Sequence, residues 1–124
     1  MRTAPYFAAL GFLTIVHAIR IIRLRRKHKV SLGDGGVSEL NVAIRVFGNH
    51  AEYAPFGLVF LLALEYIAAP GWYLHAVGLF LVVGRLLHAS ALPKAKLQFR
   101  VAGMLLTFLS LGLASIGVLL FSVI

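Results

Sequence analysis

Arg45-Val-Phe-Gly-Asn49-His-Ala-Glu52-Tyr53-Ala-Pro55 is the stretch whose reading decides the fold. Arg45, Asn49 and Glu52 are spaced i, i+4, i+7, so a helix stacks a guanidinium, an amide and a carboxylate along one face. The apolar run 56–64 follows directly and carries the same helix deep into a bilayer. A charge in the hydrocarbon costs about 2.5–3.5 kcal/mol on insertion scales, and such residues are functional candidates by default.

The composition agrees with a membrane setting. The chain has 124 residues, 60% of them hydrophobic and 13% charged, whereas soluble domains carry roughly a quarter charged residues. One domain, residues 1–124, is the natural count at this length. With no cysteine there is no disulfide, thiolate metal site or cysteine nucleophile, so any thiol chemistry needs a thiol brought by a ligand. The net charge of +8 sits in two groups, Arg20, Arg23, Arg25, Arg26, Lys27 and Lys29, and then Lys94, Lys96 and Arg100. Both flank apolar segments, as membrane topology demands. No recognition motif accompanies them, which argues against a nucleic-acid partner.

Four spanning helices are expected, over about 5–22, 39–68, 72–92 and 101–124, giving an all-α integral membrane four-helix bundle. The first has its charge after the apolar core, unlike a cleavable signal peptide. The linker 31–38 is a turn rich in glycine, with Ser38 as an expected N-cap and Glu39 at the positive end of the next helix dipole. Pro55 removes one backbone hydrogen bond inside the second helix. Ala69-Pro70-Gly71 makes the short outer turn, and Trp72 and Tyr73 mark an interfacial aromatic belt. Basic residues crowd the two junctions assigned to the cytoplasm, while Arg2 lies at an outside end, so both termini are expected outside.

The polar residues of different helices should meet. At about 1.5 Å per residue, Glu52 lies roughly 25 Å and Arg85 roughly 20 Å from the outer turn, placing both in the cytoplasmic third. Arg85 and His88 share a face at i, i+3. One reading is a buried Glu52–Arg85 pair that sets helix register. The other adds Arg45, Asn49, His88 and the ring of Arg25, Arg26 and Arg100, more donors than one pair can use, and points to a small anionic ligand with its own amine. His17 and His75 read as interfacial, and His50, about 100° off the stripe, as structural. No metal site is expected.

At these residues the chain resembles the MAPEG family, membrane-associated proteins in eicosanoid and glutathione metabolism. Arg45-x-x-x-Asn49-x-x-Glu52-Tyr53-x-Pro55 is similar to the family's second-helix signature. Gly84-Arg85-x-x-His88 is similar to its third-helix pattern, and Arg100-Val-Ala-Gly resembles the start of its fourth helix. The likeness is end to end and closest to a short bacterial branch. It implies a homotrimer in the inner membrane, with glutathione as co-substrate between subunits near the cytoplasmic face. Arg45, Asn49, Glu52 and Tyr53 would bind from one subunit, joined by Arg85 and His88. Arg25, Arg26 and Arg100 would come from the next, Arg100 stabilising the thiolate as the catalytic residue. Several catalytic members carry a tyrosine four residues beyond the position of His88, where this chain has Leu92.

Two functions follow from the resemblance. The first is a glutathione-dependent transferase or peroxidase whose hydrophobic small-molecule or lipid peroxide substrate arrives through the membrane lipids. The second is a non-catalytic glutathione- or lipid-binding protein. A small multidrug transporter is the third candidate, but those depend on a glutamate in the first helix, which is absent here. The charge placement also makes a topological prediction. Cysteines introduced at Gly35 and Gly71 should label from the cytoplasmic and outer sides, respectively. Labelling at Gly35 from outside would reverse the orientation.

Overall fold

The computed structural model describes residues 1–90 and 97–123. Four helices follow the chain: α1 (Ala4–His28), α2 (Ser38–Tyr66), α3 (Gly71–Ser90) and α4 (Leu97–Phe121), with no strand among the described residues. Helices α1, α3 and α4 are each long and apolar enough to cross a membrane. Helix α2 has 29 residues, ample length for a crossing, but its polar stripe dilutes its hydropathy. The expected Leu92, Pro93, Lys94 and Lys96 lie outside the described residues.

The helix ends differ from the sequence expectation in instructive ways. α1 does not stop at residue 22 but runs through the basic segment to His28. Arginine, leucine and lysine are good helix formers, and the cations of its last turn, Arg25, Arg26, Lys27 and His28, face the negative end of its dipole. The helix stops at Lys29, whose φ of 53° is left-handed, and the Val30 N–H returns to the Arg25 carbonyl at 3.0 Å. In the loop beyond, Asp34 accepts from the Gly36 N–H at 3.0 Å and from the Asn41 amide at 2.6 Å. The Gly36 N–H and then the Asn41 amide hold its carboxyl below the usual range. Ser38, the expected cap, is instead the first helical residue, with Val37 at the N-cap position and no side-chain cap. Glu39 lies in the first turn of α2 and pairs with Lys27 at 3.9 Å and His28 at 4.0 Å. α2 then continues as one helix through Pro55.

At the opposite end of the bundle, α1 begins against the end of α2. Its first turn contains no acid of its own. Glu65 of α2 supplies one, accepting hydrogen bonds from the Arg2 N–H and from the Thr3 N–H and hydroxyl. The Arg2 guanidinium donates to the Ala69 carbonyl at 3.3 Å. Tyr73 stacks edge-on against Phe121 with ring centres 5.1 Å apart. The chain start, the turn between α2 and α3, and the end of α4 therefore share one end, and the loop 29–37 lies at the other.

Helices α3 and α4 make the most extensive contact, α1 packs on α2 and more lightly on α3, and α1 does not reach α4 among the described residues. The α3–α4 contact brings backbone against backbone. A Cβ at Gly84 would meet the Gly103 carbonyl at 2.9 Å, and one at Gly103 would meet the His88 nitrogen at 2.6 Å. Small residues allow such close approach inside a membrane, where dispersion and interhelical hydrogen bonds replace the hydrophobic drive. Ser110 adds one such bond, donating to the Val77 carbonyl at 2.8 Å.

One apolar cluster centres on Leu10, Leu61, Leu64, Leu74 and Leu81, and a smaller one on Leu24, Leu40 and Ala43. Along α1 and α2 a polar layer separates them, containing Thr14, His17, Asn49 and His50, and α3 contributes Arg85 and His88 to it.

The glycine contact gives a stability test. Gly103→Ala should lower stability by about 1–3 kcal/mol through forced separation of α3 and α4. Gly112→Ala, where a Cβ meets nothing within 4 Å, should melt like the parent. Thermal unfolding in mild detergent reads both.

Candidate functional site

A groove of about 410 Å³ opens on the basic half of the bundle, lined by Arg45, Asn49, Glu52, His88 and Arg100 with Val42, Ile44, Val46 and Gly48 between them. Its size suits a small ligand. Three elements build it. The i, i+4, i+7 spacing on α2 sets Arg45, Asn49 and Glu52 in one row. The Gly84–Gly103 contact draws α3 against α4 and so brings His88 beside Arg100. Arg45, Glu52 and Arg100 are exposed, Asn49 is half-buried and His88 is buried.

Directly behind the groove lies Arg85, which is only 1% exposed. Its Nη2 donates to Oδ1 of Asn49 at 2.9 Å. Asn49 thus spends its carbonyl on the interior, and its NH₂ is the part left for a groove ligand. The Tyr53 ring lies 5.9 Å from the Arg85 guanidinium carbon and packs edge-on against Phe108. Tyr53 and Arg85 therefore support the groove wall without lining it.

This geometry removes the reading in which Glu52 pairs with Arg85. Among the described residues the ion pairs involve Glu39 and Glu65, and Glu52 makes none. Asn49 and Glu52 differ by three positions, which sets them about 60° apart around the helix. That rotation turns Asn49 toward α3 and leaves Glu52 facing outward.

One further placement differs from expectation. Arg100 shares the groove with Arg45 and Glu52 inside one chain, so it needs no neighbouring subunit to reach them. Arg25 and Arg26, assigned to the groove of a neighbouring subunit, border a separate hollow of their own chain with Ile22, Lys29, Val30 and Ser31, and Arg25 donates to the Gly33 carbonyl at 2.9 Å.

One histidine also departs from its reading. His17 is not interfacial: it is 6% exposed and lies against His50, ring centres 5.3 Å apart. His50 is structural, as expected, bonding to Thr14 Oγ1 at 2.9 Å. His75 is exposed and contacts the Tyr6 hydroxyl through Nδ1 at 2.8 Å. The missed signal is the i, i+3 pair Thr14 and His17 on an otherwise apolar helix, facing the Asn49–His50 level of α2. Among the described residues, no group of three His, Cys, Asp or Glu could hold a metal ion.

The groove therefore offers two guanidinium groups, one carboxylate, an amide and an imidazole around a small volume. Such a set recognises a ligand with both acidic and amino groups, because arginine forks match carboxylates and a carboxylate matches an ammonium.

Comparison with known proteins bears on the same residues. The model of the MAPEG family matches residues 3–120. The chain is 36% identical to the inner membrane protein YecN of Escherichia coli over 111 residues, covering 90% of this chain and 85% of that one. YecN from a second Escherichia coli strain matches equally. No solved structure gives a significant match.

The Asn49–Arg85 bond yields a prediction opposite to that of the expected ion pair. Asn49→Ala should destabilise the bundle by about 1.5–3 kcal/mol, the range for a hydrogen bond to a charged group. Glu52→Ala should melt within error of the parent. Paired melting curves decide between the two arrangements.

Proposed function

Because the chain belongs to the MAPEG family, we propose that it is a membrane-embedded glutathione-dependent transferase or peroxidase acting on hydrophobic electrophiles or lipid peroxides. One observation carries this reading: Arg100 borders two surfaces of opposite character. On one side is the polar groove with Arg45, Asn49, Glu52 and His88. On the other is an apolar hollow of about 300 Å³ formed by Leu97, Val101, Met104, Leu105 and Phe108. A polar thiol donor from water and an apolar acceptor from the bilayer would meet at this side chain.

In this proposal Arg45 takes a glutathione carboxylate and Glu52 its ammonium. The NH₂ of Asn49 donates to a peptide carbonyl. The Arg100 cation favours the thiolate over the thiol, which raises the fraction present as nucleophile. The thiolate attacks the electrophilic carbon, forming a C–S bond as the leaving group departs with its electron pair. A homotrimer supports the same scheme, since Arg25 and Arg26 lie off the groove of their own chain and a neighbouring copy could present them to it. The groove lies at the basic end of the bundle, which the positive-inside rule assigns to the cytoplasm.

The second reading is a non-catalytic binder of glutathione or lipid. Leu92 favours it, because that position lacks the tyrosine found in several catalytic members. Purified protein should show saturable glutathione binding and saturable conjugation of a model electrophile. Glu52→Gln should weaken glutathione binding roughly ten- to hundred-fold, the value of one charge-assisted hydrogen bond. Arg100→Ala should keep the fold and most of the affinity, and raise the pKa of the bound thiol, read as thiolate absorbance against pH. Binding without conjugation, with the thiol pKa unmoved by Arg100→Ala, would give the binding reading the lead.

A further inference from the structure

The polar layer behind the groove contains a charge that no acidic side chain balances. The chain has four acidic side chains, and each has another place. Asp34 holds the loop, Glu39 meets Lys27 and His28, Glu65 ties down the start of α1, and Glu52 is exposed on the groove. Arg85 keeps its proton under all ordinary conditions. It is 1% exposed, and its Nε and Nη1 have no hydrogen-bond partner. The groups around it are His17, His50 and His88, all buried and all within its electrostatic reach. None of them supplies negative charge.

Two of those rings also present unpaired nitrogens to the interior, Nε2 of His17 and Nδ1 of His50. The hydrogen on Thr14 Oγ1 goes to the Leu10 carbonyl at 2.8 Å, so its 2.9 Å contact with His50 takes the hydrogen from Nε2 of the ring. That leaves Nδ1 of His50 as the free edge. Water alone would satisfy hydrogen bonds here but not the guanidinium charge. The Asn49 oxygen and the Tyr53 face offset only part of it, as dipole and quadrupole. Buried charges in proteins are paired.

We propose that Arg85, with the free ring edges of His17 and His50, forms an interior site for one small inorganic anion of the halide class. The anion accepts from Nη1 of Arg85, the Nε–H on the other side of the group goes to water, and a second water bridges the anion to Nδ1 of His50. Asn49 and His88 stand between this point and the groove, and Arg85 does not line the groove itself. Occupancy therefore needs an ion small enough to pass them, and is independent of the thiol ligand proposed above.

The test uses the full chain in detergent with no thiol present. Melting temperatures are compared in chloride, bromide, nitrate and gluconate at one ionic strength and pH. Chloride and bromide should raise the melting temperature by roughly 3–6 °C over gluconate, with saturation as the ion replaces gluconate. Arg85→Gln should abolish the difference, and His17→Phe should move its midpoint to higher concentration. Bromide-soaked crystals should give an anomalous peak beside Nη1 of Arg85. Equal melting in chloride and gluconate would overturn the proposal. So would a difference that does not saturate and persists in Arg85→Gln, which is a general salt effect. If Arg85→Gln fails to fold, the wild-type ion series and the bromide peak decide alone, and absence of the peak is fatal.

Discussion

A guanidinium inside a membrane bundle must be met by acceptors, and the bond from Arg85 to Asn49 is the first of them that this molecule supplies. It joins α2 to α3 at the level where the two apolar clusters part. It also orients Asn49, because an amide whose oxygen faces inward must turn its nitrogen the other way. The groove wall thus inherits its polarity from the core. A residue that looks like ligand-binding machinery in the sequence is also a structural partner of a buried charge.

The second constraint is steric. The Gly84–Gly103 contact removes any side chain between α3 and α4, and that closeness sets the distance from His88 to the start of α4. Arg100 then stands at a boundary, with polar groups of α2 on one flank and an apolar face of α4 on the other. A protein of one short bundle can bring water-borne and lipid-borne groups together only at such an edge.

Much of this was legible in the sequence because the strongest signals were periodic. Hydropathy marked four helices, and the Arg45–Asn49–Glu52 spacing put three residues into one groove. The α2 polar row and His88 share that groove, and Arg100 joins them from the same chain rather than from a neighbour. The pairing across helices was not legible. Depth arithmetic places Glu52 and Arg85 in the same layer, but it carries no information on rotation about the helix axis, and rotation gave Arg85 to Asn49. His17 reads as interfacial in the sequence because a lone histidine on an apolar helix has no partner until α2 is docked against it. Glu65 was silent for the same reason: its partners are backbone groups of a segment sixty residues away, and backbone donors leave no mark in sequence.

Among the described residues α1 and α4 make no contact, and this has a consequence for assembly. The bundle consists of two antiparallel hairpins, α1 with α2 and α3 with α4, laid side by side. Each hairpin has its own internal contacts, so each can enter the bilayer as a unit before the two associate. Asn49 travels with the first hairpin and Arg85 with the second. Until they dock, the second hairpin carries a solitary charge near its basic end, which favours a shallow position where the side chain reaches the headgroups. Docking lets that charge sink to its final depth. The polar layer therefore lies along the seam between the hairpins.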